Sequence, residues 1–290
     1  MSKAITLVLG GMGVKGVASI GILQSLHNHN IKIKRIIASG ISGLVSGQYA
    51  LGTDLNVLTD EFTQFFEKNH RNLWGLEELS GLFQGRRSRA LESLSYFLRE
   101  RLYCNANLQR FSVLPWNTID PQIKRFFRDN TFYDLKVPLA ISAIDLKQGR
   151  EVLLNKGSLY ESMKASIAFP GLFTPIRMAD MELVSSTLYC ELPLLSINEK
   201  DMPVLAIDIP NAPPRHNLHS LLEIVALTDD IRNSAIKERL LEKVAYVLRL
   251  ESMKKYRWGN YRQIPLMVNS ARQETDKLLE TITLSQKILE

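Results

Sequence analysis

Two short runs of strand-forming residues open the chain, and each is followed by a glycine-containing turn. Ile5 to Leu9 has the branched aliphatic content of a buried strand, and Ile33 to Ala38 predicts a second strand. Between them, apolar positions recur at helical spacing from Val14 to His29, and a second helix is predicted from Gly43 to Leu51. This strand–turn–helix order, present twice, favours a parallel sheet with helices on both faces. The pattern therefore predicts an α/β fold.

The rest of the chain continues with helical and strand-like segments, without an internal repeat or an evident linker. We therefore expect a single domain over residues 1–290, with a mostly parallel central sheet and a helical C-terminal part at 215–290. The predicted strands are residues 137–144, 151–154, 181–184 and 204–209, and the predicted helices are residues 159–168, 218–250 and 268–289. Residues 58–104 also have helical spacing, which is interrupted at residues 74–75 and 81–85.

The composition is that of an ordinary globular protein, and it argues against two kinds of site. Of the 290 residues, 45% are hydrophobic and 23% are charged, which allows a sizeable core and does not indicate disorder. Cys104 and Cys190 are the only cysteines, so the chain carries no disulfide framework and offers no metal-ligand spacing. We expect two buried, reduced thiols and neither a metal nor a cofactor.

Charge and hydropathy bear on contact with membranes. No apolar stretch approaches the roughly 20 residues that span a bilayer, and the apolar run near the N-terminus is too short for a signal peptide, so we expect a cytoplasmic protein. The net charge is +6, with basic clusters at residues 86–89, 124–128 and 254–257. Solvated helix faces are the simpler interpretation, and peripheral contact with an anionic membrane is the alternative. A nucleic-acid partner is not expected.

The turn after the first strand is rich in glycine. Residues 11–16 read GMGVKG and fit G-x-G-x-x-G in the strand–turn–helix context that a dinucleotide-binding loop requires. A nicotinamide-binding unit also carries an acidic residue at the end of its second strand, where this chain has Ala38-Ser39-Gly40. The pattern therefore argues against nucleotide binding.

The turn after the second strand contains part of a hydrolase motif. Gly40-Ile41-Ser42-Gly43 gives the first four letters of the nucleophile elbow G-x-S-x-G, but Leu44 stands where the closing glycine belongs. Read alone, the segment makes Ser42 the candidate nucleophile. A serine in the first turn of a helix also caps backbone amides, which is the competing interpretation of Ser42.

Five further blocks follow one another along the chain: residues 13–21 (GVKGVASIG), 49–52 (YALG), 131–139 (TFYDLKVPL), 143–150 (AIDLKQGR) and 165–175 (ASIAFPGLFTP). Similar blocks occur in the same order in the patatin-like phospholipase family, which this chain resembles. The resemblance covers roughly residues 5–210 and implies a three-layer α/β/α fold. It also implies hydrolysis of lipid acyl esters by a serine–aspartate dyad that needs no cofactor.

The resemblance also implies where the catalytic groups should stand. The family's serine is the centre of G-x-S-x-G, its aspartate begins a D-G-[GA] triplet and acts as the base, and amides of the glycine loop hold the oxyanion. The register places Gly40 at the nucleophile position and Ser185 at the aspartate position, where Ser185-Ser186-Thr187 replaces the triplet. Met12 stands where the family prefers glycine, and we expect its side chain to obstruct a positive φ or an approaching carbonyl.

These departures predict a patatin-like pseudo-hydrolase that binds a lipid, an acyl chain or a protein partner without cleaving it. Amides at a helix N-terminus, with Lys15 near them, are suited to hold a carboxylate or phosphate, although a solvated helix residue is the competing interpretation of Lys15. The alternative function is an active lipid acyl-ester hydrolase that uses Ser42. The sequence leaves open whether residues 104–131 form a lid or pack in the core. The predicted ligand-binding residues are Gly10, Gly11, Met12, Gly13, Lys15 and Gly16.

Overall fold

The computed structural model describes residues 4–69, 114–211, 221–257 and 259–289. The strands in these ranges are β1 (Ile5–Leu9), β2 (Ile33–Ala38), β3 (Leu139–Asp145), β4 (Arg150–Leu154), β5 (Ile176–Met178), β6 (Met181–Ser185), β7 (Val204–Asp208) and β8 (Tyr246–Arg249). They form one sheet in the order β5-β6-β3-β2-β1-β7-β8, with β4 paired to β3 off this path. The contacts between β3, β2, β1, β7 and β8 are parallel, and those of β4, β5 and β6 are antiparallel.

Helices cover the sheet because alternate strand residues point to opposite faces and are apolar on both. Leu7 and Leu9 of β1 belong to the main core, whereas Val8 between them belongs to a second, smaller core on the other face. The smaller core is closed by Leu192, Leu194 and Leu241. The helices in the described ranges are α1 (Ser19–Asn28), α2 (Gly40–Leu51), α3 (Leu55–Asn69), α4 (Asp120–Phe127), α5 (Leu159–Ile167), α6 (Leu221–Leu241) and α7 (Ile264–Leu289).

The predicted α/β fold is confirmed, and helices flank a mostly parallel sheet. The predicted helical segment 58–104 begins within α3, and its part from 70 to 104, which includes both predicted interruptions, lies outside the described residues. Helix α2 begins at Gly40, three residues before the predicted start at Gly43.

The C-terminal part departs from the prediction at residues 242–250. The predicted helix at 218–250 ends at Leu241, and Tyr246–Arg249 adds the parallel edge strand β8 to β7. Strand hydrogen bonds to β7 and the burial of Leu248, which is 2% exposed, outweigh the helical spacing of the apolar residues in this segment. The short strand β5, which forms a hairpin with β6, was also absent from the prediction.

Within the described part of the chain, no helix is both long enough and apolar enough to cross a bilayer.

Candidate ligand-binding site at the carboxyl edge of the sheet

The glycine loop and the turn into α2 leave the same edge of the sheet, because Leu9 and Ala38 are paired at the ends of β1 and β2. The glycine loop, residues 10–16, passes through Gly11 and Gly13, whose φ angles are 125° and 56°. A 3-10 turn then leads from the loop into α1. The main chain of the loop therefore lies close to the start of α2.

Met12 lies between the two positive-φ glycines but does not share their conformation. Its φ is −68° and its ψ is 129°, which is ordinary extended backbone, and its side chain is buried. The expectation that a side chain at this position obstructs a positive φ is wrong, because the position does not use one.

Gly40 forms the sharp turn between β2 and α2. Its φ is +59°, a conformation that an L side chain rarely adopts. A Cβ at this position would lie only 2.8 Å from Cγ2 of Thr187, and the next atom, the carbonyl oxygen of Gly11, would lie at 3.7 Å. Both the backbone and the neighbouring methyl group therefore favour glycine here.

Ser185 is the last residue of β6, and Thr187 lies between it and Gly40. Its amide donates to the carbonyl oxygen of Ala168 at 2.9 Å, and its hydroxyl lies 3.0 Å from Oγ1 of Thr187. Ser185 and Thr187 are 2% and 3% exposed. The structure thus brings the two positions singled out by the resemblance, Gly40 and Ser185, to one place, with Thr187 between them.

Gly40, Ser185 and Thr187 line an apolar cavity of about 50 Å³. Its walls are mostly aromatic and aliphatic, and the first residues of two helical turns reach it. The amides of those first residues have no carbonyl acceptor within their own turn. Its other lining residues in the described ranges are Gly13, Val14, Ile41, Phe65, Phe66, Ile119, Ile167, Phe169 and Phe173.

The segment considered as a lid contributes to the walls and the core. Ile119 lines the cavity, and Trp116 stacks on Phe173 at 4.5 Å between ring centroids. Phe126 and Phe127 are buried in the main core. Residues 104–113 lie outside the described ranges.

Ser42, the other candidate nucleophile, lies beside the glycine loop and outside the cavity lining. Its hydroxyl donates to the carbonyl oxygen of Gly10 at 2.7 Å and lies 3.1 Å from that of Gly16. The side chain is fully buried. In this geometry Ser42 ties α2 to the glycine loop.

Lys15 is also fully buried and does not line the cavity. Its Nζ donates to the carbonyl oxygen of Pro210 at 2.6 Å and to Oδ1 of Asn211 at 3.1 Å. Burial lowers the pKa of Lys15 to about 8. The interpretation of Lys15 as a solvated helix residue is therefore wrong, and its ammonium group is directed to the end of β7 rather than to a ligand in the cavity.

Glu191 links the glycine loop to α6, and sequence reasoning did not find it. Its carbonyl oxygen accepts from Oγ of Ser39 at 3.1 Å and from the amide of Gly11 at 3.4 Å. Its carboxylate accepts from Nζ of Lys237 at 3.1 Å, and Lys237 also pairs with Asp208 at 2.9 Å. Although burial opposes it, these two carboxylates raise the pKa of Lys237. The partners lie 46 positions apart in the sequence, so no local pattern reveals the pair.

Cysteine and metal chemistry contribute little to the described site. Cys190 is buried, its Sγ donates to the carbonyl oxygen of Leu192, and burial raises its pKa to about 11. Cys104 lies outside the described ranges. Among the described residues, no group of three or more histidine, cysteine or acidic side chains is arranged to hold a metal ion.

Comparison with known proteins places this site in a family context. Residues 7–194 match the family model described as patatin-like phospholipase. An uncharacterized NTE family protein of Mycobacterium bovis is 24% identical over 68% of this chain and 46% of its own length. Lysophospholipase NTE1 of Scheffersomyces stipitis is 24% identical over 74% of this chain and 12% of its own length.

A solved structure is similar to this chain in fold. The crystal structure of VipD from Legionella pneumophila has a TM-score of 0.51 at 12% identity and covers 96% of this chain and 67% of that chain. The chain spans less than half the length of the two curated relatives described above. On the extent of the family match, this chain belongs to the patatin-like phospholipase family.

Proposed function

We propose that this chain binds an acyl chain at the carboxyl edge of its sheet without hydrolysing an ester there. The observation that carries the proposal is an apolar cavity whose lining includes Gly40 and Ser185. Gly40 supplies no hydroxyl and Ser185 supplies no carboxylate, although both line the cavity. Loss of a serine nucleophile alone lowers turnover by a factor on the order of 10⁶ in a comparable serine hydrolase.

The size and lining of the cavity favour a single narrow hydrocarbon chain. Its volume of about 50 Å³ is well below the roughly 300–1,000 Å³ that holds a drug-sized ligand. Phe65, Phe169 and Phe173 offer apolar contact, and burial of each methylene is worth about 0.8 kcal/mol. The amides of Gly13 and Gly40 begin their helical turns and are suited to a carboxylate or ester carbonyl at the end of that chain.

The competing function is ester hydrolysis by Ser42. Against it stand the burial of the Ser42 hydroxyl and its hydrogen bond to the carbonyl oxygen of Gly10. A nucleophile must reach the carbonyl carbon of its substrate and lie within reach of a base. Hydrolysis through Ser42 would require α2 and the glycine loop to separate.

A basic surface in the C-terminal part of the chain favours an anionic bilayer as the source of acyl chains. We define it as the exposed residues Lys254, Lys255, Arg262 and Leu266. Residues 251–266 carry four lysines and arginines against one acidic residue. The 3-10 turn that carries Arg262 packs against α3, whose Phe65 and Phe66 line the cavity. Cations with an exposed aliphatic side chain are suited to a negatively charged lipid surface.

Calorimetric titration with octanoate tests the proposal directly. We expect octanoate to bind and acetate, which has the carboxylate but lacks the chain, to give no binding at the same concentration. Octanol, which has the chain without the carboxylate, measures the contribution of the main-chain amides. In parallel, we expect nitrophenyl octanoate to be hydrolysed no faster than in buffer. Turnover that disappears on Ser42→Ala, or the absence of octanoate binding, would refute the proposal.

A further inference from the structure

The methyl group of Thr187 occupies the space that a side chain at position 40 would need. A Cβ on Gly40 would lie 2.8 Å from Cγ2 of Thr187, closer than real Cβ atoms approach a neighbour. The carbonyl oxygen of Gly11, at 3.7 Å, would be in ordinary van der Waals contact. Among the described residues, the obstruction at Gly40 therefore comes from one carbon atom.

That carbon atom has little freedom to move. Thr187 is 3% exposed, and its Oγ1 lies 3.0 Å from the hydroxyl of Ser185. The amide of Thr187 donates to the same Ser185 oxygen at 3.4 Å, within the 3-10 turn that follows β6. A β-branched side chain has few rotamers, and rotation of Thr187 would break its contact with Ser185.

We infer that Thr187 is the residue that determines what position 40 can hold, and so keeps the cavity free of a nucleophile. Its hydroxyl holds Ser185, and its methyl group closes the cavity beside Gly40. The inference rests on the proposed non-hydrolytic function and adds to it. Restoring a serine at 40 and a carboxylate at 185 leaves the site blocked until the methyl group at 187 is removed.

Two substitutions at Thr187 separate the methyl group from the hydroxyl. Thr187→Ser removes Cγ2 and keeps the hydroxyl that contacts Ser185, whereas Thr187→Val keeps a methyl group in place of each γ atom and removes the hydroxyl. Gly40→Ala, placed in the parent and in both Thr187 variants, adds the one carbon atom at issue. The strain of a positive φ at position 40 is common to the three backgrounds and cancels in the comparison.

Thermal unfolding of these six proteins tests the inference. We expect Gly40→Ala to lower Tm by at least about 3 °C more in the parent and in Thr187→Val than in Thr187→Ser, because overpacking is relieved only there. If Gly40→Ala fails to fold in the parent, folding in the Thr187→Ser background and not in the Thr187→Val background supports the same conclusion. Equal losses in all three backgrounds, or failure to fold in all three, would overturn it. Octanoate binding by the parent tests the proposed function separately, so the two can fail independently.

Discussion

The hydroxyl of Ser42 donates a hydrogen bond of 2.7 Å to the carbonyl oxygen of Gly10 and so joins the first turn of α2 to the glycine loop. We expect Ser42→Ala to lower the free energy of unfolding by about 1–3 kcal/mol, because a buried carbonyl loses its donor. Ser46 is the matched control, since it lies on the same helix, is fully buried and has no hydrogen-bond partner for its hydroxyl among the described residues. Ser46→Ala should be neutral or stabilising. Denaturant unfolding measures the free energy of unfolding of both variants, and an equal loss in the two would contradict the structural role assigned to Ser42.

Restoration of hydrolysis should require three substitutions. With Gly40→Ser, Ser185→Asp and Thr187→Ser together, the introduced serine oxygen can attack an ester carbonyl while its proton passes to the introduced carboxylate. The proton then leaves with the alcohol, and water releases the acyl group from the serine. We expect nitrophenyl octanoate turnover above the buffer rate in the triple variant.

The matched controls for restoration are the double variant that keeps Thr187 and the triple variant with Thr187→Val. Neither should exceed the buffer rate, because each retains a methyl group beside position 40. Full activity in the double variant would contradict the role assigned to Thr187.

Lys15 should make the chain more stable as pH rises above about 8. Its pKa falls from 10.5 to about 8 on folding, so the unfolded chain binds more protons between these values. The free energy of unfolding then gains up to about 1.4 kcal/mol per pH unit from this residue. The free energy of unfolding of the parent minus that of Lys15→Met, measured by urea unfolding from pH 7 to 10, should increase with pH. If the free energies of unfolding of the two proteins changed with pH in parallel, the pKa of Lys15 would not be lowered by folding.

Narrowing the cavity should weaken octanoate binding. Ile41 lines the cavity in the first turn of α2 and is only partly buried, so Ile41→Trp adds bulk there with little cost to the core. Val57→Trp makes a comparable change at a position that is 46% exposed and outside the described lining. We expect calorimetry to give at least about a tenfold weaker Kd for Ile41→Trp alone. Equal affinities for the two variants would place octanoate elsewhere.

The basic surface should recruit the chain to anionic vesicles. Lys255→Glu with Arg262→Glu should abolish sedimentation with vesicles that contain phosphatidylserine, and added salt should weaken the binding of the parent. Lys147→Glu with Arg150→Glu gives the same change in net charge at two exposed positions, one in the turn after β3 and one at the start of β4, and should retain binding. Loss of binding in both variants would indicate a response to net charge rather than to this surface.

The sequence predicted the parts of the fold that depend on local pattern. The buried strands β1 and β2 and the glycine turns after them follow from aliphatic runs and from the backbone freedom of glycine. Strand β8 was predicted as helix, because its apolar spacing suits either structure and only pairing with β7 decides between them.

The sequence predicted which positions form the candidate site but not which side chains contact one another there. Family resemblance led to Gly40 and Ser185, yet the contact of Thr187 with position 40 depends on how β6 and α2 are packed. The burial of Lys15 and its link to Asn211 depend on segments that are almost 200 positions apart. Such contacts are properties of the folded chain, and local spacing does not carry them.

The amide of Gly11 in the glycine loop donates to the carbonyl oxygen of Glu191, whose carboxylate pairs with Lys237, and neither Glu191 nor Lys237 is among the described residues that line the cavity. A site fixed in this way is preorganised, so a ligand loses little free energy to ordering the loop when it binds. Ligand preference can then change through the cavity walls while the loop keeps its shape. Changes at Glu191 or Lys237 would instead impair binding of every ligand alike.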